Sequence, residues 1–332
     1  METFLVADIG GTNTTFAFVK KVKEKYSLLD ILRFDSKKIK DFSTTTAEVL
    51  KQGELKGYQT HRACFAPAGR VSEKYDFCRL TKLPFSIDAA DIKKKTALAS
   101  VLVINDFMAV AYGIEVLPSK SIVQLKPGKI IKNKPKAILG AGTGLGKAIL
   151  VWNDKSNQYF PVASEGGHSN AALQTKEEYE LGEFIKKKNS RERVVWEDVL
   201  SGNGISNVYQ FFETKFPASR GIQKSNYNPA LISISSDAAS TATMDLFLRF
   251  YARCAQNVAL DTMALGGIYL AGGIVAKNQA LFKRKAFIDE FILNHRMKKV
   301  LEQIPIFAIT DYNVSLYGAA HALQIYLQGD FP

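Results

Sequence analysis

Two short glycine-rich segments carry the groups best suited to holding an anion. The first reads Asp8-Ile-Gly-Gly-Thr-Asn13 and the second Gly140-Ala-Gly-Thr-Gly-Leu-Gly146. Glycine admits positive φ and leaves backbone N–H groups unobstructed, so glycines close together in a turn can aim several donors at one phosphate. Gly10 and Gly11 do so beside the Thr12 hydroxyl and the Asn13 amide, and Gly142 and Gly144 beside Thr143. Two commoner phosphate motifs fail on the second segment. A P-loop needs Gly-Lys-Ser/Thr at its end, but Ala148 follows Gly146-Lys147. The dinucleotide fingerprint Gly-x-Gly-x-x-Gly lacks its last glycine from either Gly140 or Gly142. One such turn usually means only a tight hairpin. Two, each with a threonine among the glycines, point to a nucleotide.

These turns need strands on both sides. Residues 4–8 read as a buried strand and 14–20 as its return, a strand–turn–strand opening unlike the strand–turn–helix of a dinucleotide fold. Further strands are expected at 26–34, 62–66, around 75–79 and at 101–105, with helices at 44–55 and 87–95. Asp106 then opens a helix with Val110, Ala111 and Ile114 on its apolar face. A lysine- and proline-bearing stretch, 126–136, separates a second part, where 137–140 and 147–152 again bracket a glycine turn. The pattern thus occurs twice, a weak internal repeat. Beyond it, Thr175 and Glu178 form a capping-box signature opening a helix at 176–188. Asp237 can cap a long helix that Gly266-Gly267 is expected to end. A strand at 268–271 runs into Gly272-Gly273, and a strand at 305–309 precedes a last helix at 314–327.

In this order and at these separations, ADIGGTN (7–13), INDF (104–107), GAGTGLG (140–146), EGGH (165–168), WEDVLSG (196–202) and LAGGI (270–274) resemble the bacterial-type glucokinase family over nearly the whole chain. That family lies within the group of sugar kinases, actins and heat-shock chaperones. The resemblance implies an α/β fold of two actin-like, ribonuclease-H-like domains, with mixed sheets flanked by helices and a cleft between them. Residues 1–108 plus 312–332 would form the small domain and 109–311 the large one. It implies phosphate binding by Asp8, Gly10, Gly11, Thr12, Asn13, Gly142, Thr143 and Gly144, approach of the adenosine at Gly272 and Gly273, and sugar contact by Asn105, Asp106, Glu165, His168 and Glu197. The cofactors expected are ATP and Mg²⁺, the partner D-glucose or a related hexose, and the assembly a homodimer.

Phosphoryl transfer to a sugar hydroxyl demands alignment, charge neutralisation and a proton acceptor. Asp106 is the candidate base, kept ionised by a helix N-terminus; an Asp there is also a good N-cap. Asn105 offers the donor and acceptor that paired hydroxyls need. Glu165 and His168 flank a glycine turn in a way that suits a polyol, whereas a metal site lacks a second His at ligand spacing. Asp8 could orient hydrated Mg²⁺, the phosphates supplying most of its ligands. The sequence departs from the family pattern at Thr15, where an arginine is frequent, at Thr81-Lys82 with Phe85, and at Asn170-Ala171. These changes bear on the choice of hexose and leave the proposed chemical groups in place.

The bulk properties agree. A chain of 332 residues, 46% hydrophobic and 23% charged, is expected to fold as two domains. No apolar run reaches the roughly 20 residues of a membrane span, and the first residues read as a strand without a leader peptide, so a cytoplasmic location is expected. Three cysteines show no zinc or disulfide pattern. The net charge of +12 sits in scattered lysine clusters without interleaved aromatics, so no nucleic acid is expected. The alternatives are a kinase for another hexose or amino sugar, or a non-catalytic sugar sensor; such regulators carry a helix-turn-helix for which no room is expected before the first strand. A dinucleotide-dependent oxidoreductase is disfavoured by the failed fingerprint.

Overall fold

The computed structural model describes residues 3–23, 25–81, 83–216 and 227–331; Lys82 lies outside them. The contacts divide the chain into two compact units, Met1–Ser121 with Leu150–Ala163 and Asp311–Pro332, and Ile122–Ile149 with Ser164–Thr310.

The first unit is built on β1 (Thr3–Ile9), β2 (Asn13–Val22), β3 (Lys25–Asp35), β4 (Arg62–Pro67) and β7 (Ser100–Val103), with α1 (Phe42–Leu55), the short pair β5 (Phe77–Arg79) and β6 (Ser86–Asp88), α2 (Ala89–Lys95) and α3 (Asp106–Ile114) between or after them. The sheet order is β3-β2-β1-β4-β7, antiparallel across the first three strands and parallel from β1 to β7. Side chains alternate faces along a strand. Leu5, Ala7 and Ile9 therefore pack with α1 and α2, and Phe4 and Val6 with α3 and the C-terminal helix. The helix expected at 87–95 starts at Ala89, because Asp88 ends β6 and caps the Ala90 N–H at 2.8 Å.

In chain order there follow β8 (Ile122–Lys126), β9 (Lys136–Ala141), β10 (Leu145–Asn153), β11 (Gln158–Ser164), α4 (Lys176–Asn189), α5 (Gly202–Lys215), α6 (Pro229–Ile234), α7 (Ala238–Thr262), β12 (Ile268–Ala271), α8 (Gly273–Lys277), α9 (Gln279–Phe282), α10 (Lys285–Ile292), α11 (Lys298–Gln303), β13 (Ile306–Ile309) and α12 (Val314–Gln328); β10 from Leu150, β11 up to Ala163 and α12 are grouped with the first unit, the rest with the second. The second sheet runs β11-β10-β9-β12-β13-β8. Counted within each half, third-second-first-fourth-fifth is the strand order of both sheets, with β8 added antiparallel at one edge. The weak repeat of the sequence is a repeated topology. The stretch 126–136 is not wholly a separator: Lys126 ends β8, is buried, and donates to the carbonyls of Glu302 and Ile304 at 2.7 and 2.9 Å.

Thr175 and Glu178 form the capping box of α4, and Arg253 on α7 reaches both Glu178 oxygens, at 2.7 and 3.0 Å. Asp237 caps α7, but the helix ends before Gly266 and Gly267. Met263 takes the left-handed position, φ 46°, and closes the helix on the Ala259 and Leu260 carbonyls. Gly266 is needed for a different reason, since a Cβ there would meet the Lys134 carbonyl oxygen at 2.5 Å.

In the first unit α3 and α12 cross backbone to backbone. A Cβ on Gly318 would lie 1.7 Å from the Ala109 carbonyl oxygen, and one on Gly113 would lie 2.2 Å from that of Val314. Neither obstacle is a flexible side chain, so Gly318→Ala should destabilise the protein by about 3 kcal/mol or more. Chemical denaturation would show this against Gly11→Ala, which meets nothing within 4 Å. Nearby, His321 packs against the Tyr26 and Tyr112 rings, and burial, aided by the Lys21 charge, pushes its pKa down to about 4. Between that value and its ordinary 6.5 the unfolded chain binds a proton that the native imidazole refuses. Stability should therefore fall as pH drops through this window, by up to about 3 kcal/mol in total. Denaturation midpoints for His321→Gln should lack this part of the acid limb.

Candidate active site

All the segments singled out at 8–13, 105–106, 140–146 and 272–273 lie at or just beyond the carboxyl ends of parallel strands. β1 ends at Ile9 and β7 at Val103 in the first unit, β9 at Ala141 and β12 at Ala271 in the second. Ligands of open α/β sheets bind outside such ends.

The first turn is closed by the Gly10 N–H on the Asn13 carbonyl at 2.9 Å and braced by buried Ser36, which donates its hydroxyl to Gly10 O and its N–H to Thr12 O. Gly11, Thr12 and Asn13 stay exposed. Neither glycine here has positive φ, and neither does Gly142 or Gly144. Their value is space: a Cβ on Gly11 or Gly142 meets nothing within 4 Å, so bare backbone faces the open. Among the proposed site glycines only Gly272 is left-handed, φ 92°, and a Cβ there would sit 2.7 Å from the Ala141 carbonyl oxygen.

Asp8 lies against α12, where the Ser315 hydroxyl donates to its Oδ2 at 2.5 Å. Burial pushes the Asp8 pKa up, and the Ser315 bond opposes this. A cavity of about 290 Å³ opens here, lined by Asp8, Asn13, Thr15, Arg33, Tyr312 and Asn313, with Ser315 and Leu316. Of these, the sequence had singled out Asp8 and Asn13 for a role. Among the described residues no cluster of three or more His, Cys, Asp or Glu could hold a metal. A lone carboxylate with amide and hydroxyl oxygens fits a hydrated ion that arrives on phosphate oxygens, not a protein-made cage.

Asn105, not Asp106, is the N-cap of α3. Its Oδ1 accepts the Phe107 and Met108 N–H groups at 2.9 and 3.4 Å, and its Nδ2 donates to Gly69 O at 3.3 Å. Asp106 is the first helical residue, with Oδ1 accepting the Phe107 N–H at 2.9 Å. Its charge, after burial, helps push the Cys78 thiol up to about 11.

The second unit brings the second turn, the 165–168 segment and Glu197 together. Glu197 Oε2 accepts the Leu145 N–H at 3.0 Å and would lie 2.5 Å from a Cβ on Gly144. A Cβ on Gly167 would fall 2.0 Å from Leu145 O, and the Gly202 N–H at the start of α5 donates to Gly142 O at 2.8 Å. Asn170 makes an isolated antiparallel bridge to Val195, tying the 165–171 segment to the chain just before Glu197. Glu165 and His168 keep their side chains mostly exposed and 3.9 Å apart, a pair open to a ligand's hydroxyls. Lys147, which sequence reasoning passed over, is buried with its ammonium 5.8 Å from the Trp196 ring centre.

Residues 5–326 match the glucokinase family model. The chain belongs to the glucokinase family. Similarity to the glucokinase of Nostoc punctiforme is 32% identity, over 96% of this chain and 98% of that one. A solved glucokinase from an Antarctic psychrotroph superposes with TM-score 0.82 at 29% identity, covering 98% of this chain and 99% of that one. A ROK family glucokinase from Streptomyces griseus, solved in complex with glucose and AMPPNP, shares the fold at TM-score 0.69 and 16% identity, covering 97% and 99%. The chain is therefore an enzyme, a glucose kinase, on the actin-like sugar-kinase fold that its motifs implied. Among the described residues no helix is long and apolar enough to cross a membrane.

Glu197→Ala would strand the buried Leu145 N–H, at a cost of about 1–3 kcal/mol. Glu197→Gln keeps an acceptor oxygen and should lose clearly less, a difference that thermal unfolding of the two variants would resolve.

Proposed function

We propose that the chain transfers the γ-phosphoryl group of ATP to the 6-hydroxyl of free D-glucose, with Asp106 accepting the hydroxyl proton. The observation that carries this reading is the state of Asp106. Its carboxylate stands at the first turn of α3, oriented by the Phe107 N–H and favoured in its charged form by the helix N-terminus. In a loose transition state the proton leaves late, so a strong base is not needed. Asn105, anchored on Gly69 and on the helix it caps, holds Asp106 in place and has an amide hydrogen to offer the sugar. Glu165, His168 and Glu197 are the proposed partners of the remaining hydroxyls.

The turns at residues 10–13 and 142–144 hold the phosphates, Gly10 and Gly142 spending their N–H groups on closing the turns while Gly11, Thr12, Asn13 and Thr143 stay exposed, and Gly272 and Gly273 give the adenosine its backbone approach. Asp8 would hold a hydrated Mg²⁺ through water, and that ion would supply charge neutralisation at the phosphate oxygens. A homodimer and a cytoplasmic location belong to the proposal on family grounds alone.

The test is ADP release in a coupled assay across a panel of hexoses and amino sugars, for the wild type and Asp106→Asn. The variant should lose about 10²–10⁴-fold in kcat, with the glucose KM changed only a few-fold. Unchanged turnover would remove Asp106 as the base. Faster turnover on another sugar would move the substrate assignment.

A further inference from the structure

The register of the first sheet sets Asp8, Thr15 and Arg33 side by side across β1, β2 and β3, since Asp8 pairs with Thr15 and Thr15 with Arg33. Side chains so paired share a face, and all three line the cavity beside the first turn. The Arg33 side chain makes no ion pair or hydrogen bond among the described residues, although Asp8 lines the same space. The Asp8 carboxylate is instead held by Ser315. The remaining polar groups of the cavity are the Asn13 and Asn313 amides and the Thr15 and Tyr312 hydroxyls. Asn313 does not use its side chain to cap α12, so that helix presents its positive end here with the amide left over. A guanidinium, two amides and two hydroxyls around one half-buried carboxylate make a site for an anion that brings its own cation. A metal-bound polyphosphate is that chemistry.

We propose that Arg33 is a nucleotide-binding residue, donating to the terminal phosphates of the triphosphate at the first turn. This rests on the kinase reading above. It also accounts for Thr15: a positive charge rooted at position 15 and one rooted at position 33 emerge on the same face from directly opposed residues, so the strand partner supplies what position 15 lacks.

The experiment is calorimetric titration of the wild type, Arg33→Ala and the exchange variant Thr15→Arg/Arg33→Thr with AMPPNP plus Mg²⁺ and with AMP, alongside steady-state kinetics with glucose. Arg33→Ala should weaken AMPPNP roughly tenfold or more and raise the ATP KM in step, while AMP affinity and glucose KM stay unchanged. The exchange variant should recover most of the loss, which a merely structural arginine would not allow. Unchanged AMPPNP affinity in Arg33→Ala, an equal loss for AMP, or failure of the exchange variant to recover would each overturn the proposal. If the wild type binds AMPPNP without phosphorylating any sugar, the kinase reading fails and the binding series still decides the role of Arg33. If the wild type binds no nucleotide, both fall.

Discussion

The crossing of α3 and α12 at Gly113 and Gly318 is the constraint on which the first unit depends. Two helices meet there with no side chain between them, because any Cβ would strike a carbonyl oxygen. The start of α3 at Asp106 lies about two turns from the crossing and the start of α12 at Val314 about one. Fixing the crossing therefore fixes both helix N-termini. One carries the proposed base; the other carries Ser315, which holds Asp8 at the end of β1. Tight packing of this kind is bistable at best and not continuously deformable. A methyl group at the crossing would move catalytic and nucleotide-facing groups together.

The second unit uses the same device without helices. Glycine at 144, 167 and 272 lets Glu197, Leu145 O and Ala141 O approach within distances no side chain would permit. Segments distant in the sequence are thereby stitched to one turn, and the Leu145 N–H finds its acceptor in a carboxylate. Both sheets share one strand order, and both put bare N–H groups just beyond the carboxyl ends of parallel strands. That arrangement suits an anion, and the carboxylates around it suit a neutral polyol.

Much of this was legible because its signals are local. The apolar runs of β1 and β9, the turns after them, the capping box at Thr175 and Glu178, and the Asp237 cap each reside in a few consecutive residues. What was not legible depends on pairing across the chain. Asn105 takes the cap that Asp106 could have taken, because its amide also reaches Gly69. α7 stops at Met263 and not at the glycines, which are needed for close approach to Lys134. Arg33 was hidden by a bulge. The hairpin end pairs Val22 with Lys25 and Val19 with Leu28, and that register extended would set Leu32 opposite Thr15; the irregularity between Phe18 and Val19 brings Arg33 there instead. Ser315, three hundred residues from Asp8, leaves no local trace at all.

The proposed reaction is transfer of the γ-phosphoryl group of ATP to the 6-hydroxyl of glucose. Phosphorus NMR of the protein with ATP, Mg²⁺ and glucose tests it most directly. ADP and a sugar phosphate esterified at the 6-position should appear in equal amounts, and neither should appear without glucose. Release of inorganic phosphate in place of the ester, or an ester at another hydroxyl, would contradict it.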